Sequence, residues 1–192
     1  MPTRKRKRTL GVKNKKEIGM RRKLTLFVII ALCFVLQTTV FQGLSFANIV
    51  PNLMVIIVSS FGFMRGRREG MWIGFFCGLL IDIFCGFYLG VYALLYMYIG
   101  FANGLFQKRF YPDDIKLPMA LIGASDIVCN IFIYIFMFLL RSRFQFLYYF
   151  KTIIIPEFVY TMVVTIFLYY LLLKINQKLE AVEKRRATKF DI

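Results

Sequence analysis

The chain has 192 residues, of which 59% are hydrophobic and 18% aromatic, and only 19% are charged. So few polar groups exclude an ordinary water-soluble domain and indicate a polytopic membrane protein. The 26 Lys and Arg against 10 Asp and Glu give a net charge of +16, but they cluster at the ends and in short loops, which does not suggest a nucleic-acid-binding surface. The absence of His removes imidazole metal sites and His-dependent nucleophiles.

Six apolar stretches approach the about 20 residues that a helix needs to cross the hydrocarbon core of a bilayer. They lie at 24–42, 50–64, 71–88, 89–106, 117–140 and 152–174. The second stretch is short for a span, so we expect it to be thinned, tucked into the bundle or partly re-entrant. The predicted fold is an all-α, polytopic membrane helix bundle with about six transmembrane helices.

The distribution of Lys and Arg predicts that both termini are cytoplasmic. With six spans, 23 of the 26 basic residues fall on the cytoplasmic side. The predicted domains are a basic tail at 1–23, a transmembrane helical domain at 24–174 and a basic C-terminal tail at 175–192. The first tail is either a disordered arm near anionic lipid or a docking arm for an acidic partner. The second is expected to continue the last span as a mixed-charge helix.

The chain enters the second span at Pro51 and Asn52. Proline is well tolerated in a first turn, because the hydrogen bond that it cannot donate is unused there. In the predicted topology Asn52 lies on the outer side of the membrane. It is therefore a candidate contact for a partner protein.

The third span carries a small or acidic residue at every fourth position: Gly70, Gly74, Gly78, Asp82 and Gly86. Residues at this spacing share one helix face, and small side chains there let another helix approach closely. Gly100 and Gly104 could do the same for the fourth span. The pattern predicts either a groove for a partner helix or internal packing of the bundle.

Three carboxyl groups fall inside the predicted spans, at Asp82, Asp126 and Glu157. A lone carboxyl in a low-dielectric interior needs hydrogen-bond partners or a compensating charge. Three roles are open: hydrogen bonding between helices, proton or cation relay in a transporter, and an aspartyl dyad of Asp82 and Asp126 acting as general acid and base.

Taken together, these residues resemble the MreD family of bacterial rod-shape-determining membrane proteins. The resemblance covers about residues 24–175, and its most specific part is the third span with its flanks. The matching positions are Pro51-Asn52, Arg68-Glu69-Gly70, Gly74-Phe75, Gly78-Leu79-Leu80, Asp82, Gly86, Leu89-Gly90 and Ala93-Leu94. The basic extensions at both ends are not expected from the family.

The resemblance implies a non-catalytic scaffold of the elongation complex in the bacterial cell membrane, which organises peptidoglycan synthesis along the lateral wall. Implied partners are the bitopic shape protein MreC, the MreB filament, and RodA with its class B transpeptidase; no cofactor is implied. The implied fold is similar to the substrate-binding components of ECF transporters, so the rival hypothesis is a small-molecule or ion transporter. The predicted partner-binding residues are Pro51, Asn52, Gly74, Gly78, Asp82, Gly86 and Gly90, with the Gly74/Gly78/Asp82 face, or the groove it lines, receiving the helix of MreC.

Overall fold

The computed structural model describes residues 22, 24–40, 43, 49–84, 89–109, 115–141 and 149–188. These residues form six helices joined by short connections, which confirms the all-α prediction. The helices are α1 (Leu24–Val40), α2 (Leu53–Arg65), α3 (Arg67–Phe84), α4 (Val91–Leu105), α5 (Lys116–Arg141) and α6 (Ile155–Thr188). A π-helical turn ends α1, another leads into α6, and a 3-10 turn follows α4.

Helices α5 and α6 are long and apolar enough to cross a membrane. They have 26 and 34 residues, which corresponds to about 39 and 51 Å of helix. Only 33% and 28% of their apolar segments are buried inside the protein, so these are not core helices of a soluble fold. Among the described residues, α1 and α2 are apolar but shorter. The six-span topology stays a prediction.

Helix α2 is the centre of the bundle. Every residue from Leu53 to Met64 is buried, and α3, α4, α5 and α6 all pack against it. A helix that is apolar around its whole circumference is stable only when it is covered on all sides. The short second span is therefore tucked into the bundle, as one of the sequence-based alternatives proposed.

A single residue, Gly66, reverses the chain between α2 and α3. Its φ of 93° lies in the left-handed region, and its amide donates to the Gly62 carbonyl at 2.8 Å. A Cβ at this position would overlap the side chain of Gln107. The positive φ favours glycine here, whereas the flexible end of the Gln107 side chain could move aside. The tight turn makes α2 and α3 antiparallel neighbours.

Three glycines from three helices meet where α2, α3 and α4 cross. A Cβ on Gly62 would lie 2.7 Å from the Gly100 carbonyl oxygen, and one on Gly70 would lie 2.7 Å from the Gly62 Cα. A Cβ on Gly100 would overlap the Gly70 carbonyl. The three backbones are in direct contact at this junction, which no larger residue permits.

Two further contact pairs fix the register of the remaining helices. Helices α1 and α3 run parallel, with an Arg22–Glu69 ion pair at one end and the Phe34 and Phe84 rings 5.4 Å apart at the other. Helices α5 and α6 run antiparallel. Gly123 faces the side chains of Phe158 and Met162, and the Tyr134 and Tyr149 rings lie 4.9 Å apart.

Candidate functional site

The glycine face of α3 packs directly on α4. A Cβ on Gly74 would overlap the Tyr96 carbonyl, and one on Gly78 would lie 2.5 Å from the Ala93 nitrogen. The sequence predicts that this face either receives a partner helix or packs inside the bundle. In the structure a helix of the same chain lies on it.

Asp82 caps the beginning of α4. Its Oδ2 accepts hydrogen bonds from the Gly90 and Ala93 amides at 3.0 and 2.9 Å, and its Oδ1 accepts one from the Tyr92 amide at 3.1 Å. The carboxyl is only 2% exposed. A negative group at this place satisfies amides that have no partner within their own helix and complements the helix dipole. Neither oxygen of Asp126 has a hydrogen-bond partner, so no hydrogen bond joins Asp82 to Asp126 in this structure.

Asn52 joins three helices near the start of α2. Its Oδ1 accepts from the Val55 amide at 3.3 Å, which caps α2, and from the Tyr96 hydroxyl at 3.0 Å. The backbone amide of Asn52 donates to Thr161 Oγ1 on α6 at 3.1 Å. Asn52 and the preceding Pro51 are both buried. The predicted contact residue therefore makes these bonds within the chain.

The two remaining predicted site residues lie between α3 and α4. Gly90 is exposed, has a φ of 100°, and would place a Cβ in open space. Gly86 lies outside the described residues, as does nearly all of the basic tail at 1–23. Gly90 is thus the one predicted site residue in the described part of the chain that is on the surface.

A polar centre that the sequence analysis missed is built around Asn103 on α4. Its Nδ2 lies 2.8 Å from Ser125 Oγ on α5, 3.2 Å from Ser59 Oγ on α2 and 2.9 Å from the Ile99 carbonyl. All three side chains are at least nine-tenths buried. The available signal was a polar residue within each of three apolar helices: Ser59 and Ser125 in the interior of α2 and α5, and Asn103 in the last turn of α4.

We expect Asn103→Ala to lower the free energy of unfolding by about 1–2 kcal/mol, because it removes the group that binds two other helices. Ser59→Ala and Ser125→Ala should each cost about 0.6 kcal/mol, the average for a single interhelical hydrogen bond in a membrane protein. Thermal unfolding of the purified protein in detergent measures all three. A loss no larger for Asn103→Ala than for Ser59→Ala would contradict this view of the polar centre.

The end of α2 and the second half of α6 carry a second set of polar contacts. Arg65 Nε donates to Asn176 Oδ1 on α6 at 2.5 Å, and the Asn176 amide donates to Glu180 Oε1 at 3.1 Å. Arg65 is one of the basic residues whose distribution predicts the topology. Its side chain also connects the end of α2 to α6, which extends as a helix to Thr188.

Asp126 on α5 and Glu157 on α6 form the third polar group. Asp126 is fully buried. The side-chain amide of Asn130 donates to the Asp126 backbone carbonyl at 3.2 Å, and the same side chain hydrogen-bonds the Glu157 carboxyl. Within the described part of the chain, no group of three or more His, Cys, Asp or Glu could hold a metal ion.

The profile of the family described as rod shape-determining protein MreD matches residues 20–179. The chain belongs to the MreD family. The match confirms the resemblance seen in the sequence and implies a role in rod shape determination. MreD proteins are membrane-associated shape proteins and are not known as enzymes. Searches of curated proteins and of solved structures gave no significant match.

Proposed function

We propose that this MreD chain is a non-catalytic, multi-pass scaffold of the elongation complex in the bacterial inner membrane. In this proposal it organises lateral peptidoglycan synthesis by holding MreC, the MreB filament, and RodA with its class B transpeptidase. The family match supports the role in cell shape, and α5 and α6 support integration into the membrane. The clustering of Lys and Arg in the two tails and in two of the loops supports two cytoplasmic termini.

The proposed docking surface for the single helix of MreC is the outer side of α3. We call it the aromatic ridge, and it consists of Trp72, Phe75 and Phe76. The Trp72 and Phe76 rings are stacked with centroids 6.3 Å apart, and Phe75 contacts both. Trp72 and Phe76 remain 59% and 53% exposed. This exposed cluster of rings is the observation that carries the proposal.

The predicted glycine face takes an indirect part in this docking. Gly74 and Gly78 hold α3 against α4, and Asp82 fixes the start of α4. These contacts hold α3 and α4 together, so the aromatic ridge faces away from α4. Helices in lipid associate through close van der Waals packing. A preformed surface loses less conformational entropy on binding than separate mobile side chains do. The exposed turn at Gly90 extends the proposed surface at the other end of the pair.

A basic corner lies at the inner end of the same helix pair. Arg67 and Arg68 begin α3, and Lys108 and Arg109 follow α4. The contact between Gly66 and Gln107 brings the two segments together, and all four basic side chains are exposed. We propose this corner as a contact for anionic lipid or for the filament beneath the membrane.

Capture of MreC tests the docking surface. The tagged protein and MreC of the same genome are co-expressed and purified in mild detergent. We expect Trp72→Ala/Phe76→Ala to reduce the captured MreC at least tenfold, because the two large rings supply most of the proposed contact area. The matched control is Phe167→Ala/Tyr170→Ala, which removes two rings that are 75% and 54% exposed on α6.

The result is interpreted only for variants that reach the membrane at wild-type levels. Equal loss in both double variants would mean a general loss of protein quality and would argue against the aromatic ridge. Full capture by Trp72→Ala/Phe76→Ala would place the docking surface elsewhere. No capture by the wild-type protein would reject MreC as a direct partner.

A further inference from the structure

Asp126 is the one buried carboxyl in the described chain whose oxygens have no hydrogen-bond partner. Its side chain is 0% exposed, and neither Oδ1 nor Oδ2 contacts a donor. Asp82, which is similarly buried, accepts three backbone hydrogen bonds. An ionised carboxyl without donors or a counter-charge is unstable in a low-dielectric interior. Asp126 is therefore either protonated or paired with a positive group that the described side chains do not supply.

The register of α5 and α6 places Glu157 opposite Asp126. One contact on each side fixes this register: Gly123 faces Phe158 and Met162, and the Tyr134 ring contacts the Tyr149 ring. The Asn130 side chain, which donates to the Asp126 backbone carbonyl at 3.2 Å, also bonds the Glu157 carboxyl, so the two carboxyls lie at one level of the α5–α6 contact. The positions form a carboxyl pair in which Glu157 has a protein donor and Asp126 has none.

No described basic side chain lies inside the bundle at this level. Most of the Lys and Arg whose side chains the structure describes are at or near the ends of helices: Arg22, Arg65, Arg67, Arg68, Lys108, Arg109, Lys116 and Lys151. The other two, Lys174 and Lys178, are exposed in the second half of α6, far along the helix from Glu157. The nearest along α6 is Lys151, which is exposed in the turn before the helix. A charge that compensates an ionised Asp126 therefore comes from outside the described side chains.

We propose that Asp126 and Glu157 bind one monovalent cation, either an alkali-metal ion or a protonated primary amine. With Glu157 protonated, the pair carries one negative charge, on Asp126, and a single positive charge balances it. Asp126 supplies two oxygen ligands, and Glu157 supplies a further one. A divalent ion fits less well, because magnesium gives up its water reluctantly and calcium takes six to eight oxygens.

Such a cation would connect α5 to α6 in the middle of the membrane. A ligand that binds only the folded protein raises its stability by mass action. The packing of these two helices then depends on the cation, a property separate from docking of MreC to the aromatic ridge. The two proposals stand independently.

Cation-dependent thermal stability of the purified full-length protein tests the proposal. Sodium, potassium and methylammonium chloride each replace choline chloride at constant ionic strength, since choline is too bulky for a buried site. We expect at least one of the three to raise the unfolding temperature of the wild type in a saturable manner. The net charge of +16 keeps non-specific cation binding at the surface low.

Asp126→Asn should weaken the apparent affinity for that cation at least tenfold, because the neutral amide no longer balances its charge. Glu157→Gln should weaken it less. The matched control is Glu180→Gln on the same helix, whose carboxyl binds Asn176 away from the site. It should keep the wild-type response. A response to sodium or potassium assigns a metal ion, whereas a response to methylammonium alone assigns an organic amine.

Two results would overturn the proposal. One is a wild-type unfolding temperature that none of the three cations changes, which would mean that Asp126 is neutral. Another is an equal response in wild type and Asp126→Asn. If Asp126→Asn does not fold, the wild-type titration and Glu157→Gln decide the question.

Discussion

Gly100→Ala is expected to lower the free energy of unfolding by about 3 kcal/mol, although it adds a single methyl group. In an open helix the same change would stabilise the protein by up to about 1 kcal/mol, because alanine has the higher helix propensity. At Gly100 the new Cβ would overlap the backbone carbonyl of Gly70. Backbone atoms have no alternative rotamer, so α3 and α4 would have to separate along their contact.

Thermal unfolding in detergent, with the fraction of monodisperse protein after heating as the readout, measures this effect. Gly123→Ala is the graded control, since its Cβ would meet only side-chain atoms of Phe158 and Met162, at 3.1 and 3.2 Å. Gly43→Ala, where nothing lies within 4 Å, should be close to wild type. Gly100→Ala with wild-type stability would contradict the three-glycine junction.

Asp82→Leu is expected to cost a similar amount, about 3 kcal/mol, for an electrostatic reason. The variant keeps the approximate shape of the side chain but leaves the Gly90, Tyr92 and Ala93 amides without their acceptor. A buried donor without a partner costs about 1–3 kcal/mol, and the first of these amides can recover a bond to water near the exposed turn. Asp82→Asn should cost about 1 kcal/mol, because its remaining carbonyl oxygen still caps the helix.

The decisive measurement for Asp82 is local. Amide hydrogen exchange at Tyr92 and Ala93 should accelerate strongly in Asp82→Leu and only slightly in Asp82→Asn, while exchange in α5 changes little. Equal effects of the two variants on stability would show that the carboxyl does more than accept these bonds. Wild-type exchange in Asp82→Leu would reject the capping role.

In the third span the sequence pattern predicts a close helix contact, and the structure identifies the helix that makes it. The four-residue spacing of Gly70, Gly74 and Gly78 shows that a helix approaches closely, because small residues on one face have this effect in any context. The pattern does not contain the identity of that helix. In the structure it is α4 of the same chain, and Asp82 on the same face finds its partners at the start of α4.

Composition and periodicity by themselves determined that the chain is helical and apolar, placed the helices to within a few residues, and allowed the family to be recognised. These features depend on local properties, namely hydropathy, helix propensity and small residues at a fixed spacing. The tertiary structure alone decided that α2 is the central helix, that Asn103 joins Ser59 to Ser125, and that Asp126 lies opposite Glu157 without a donor. These features depend on which faces meet across long separations in sequence, and the energy of each pairing arises only when the helices have packed.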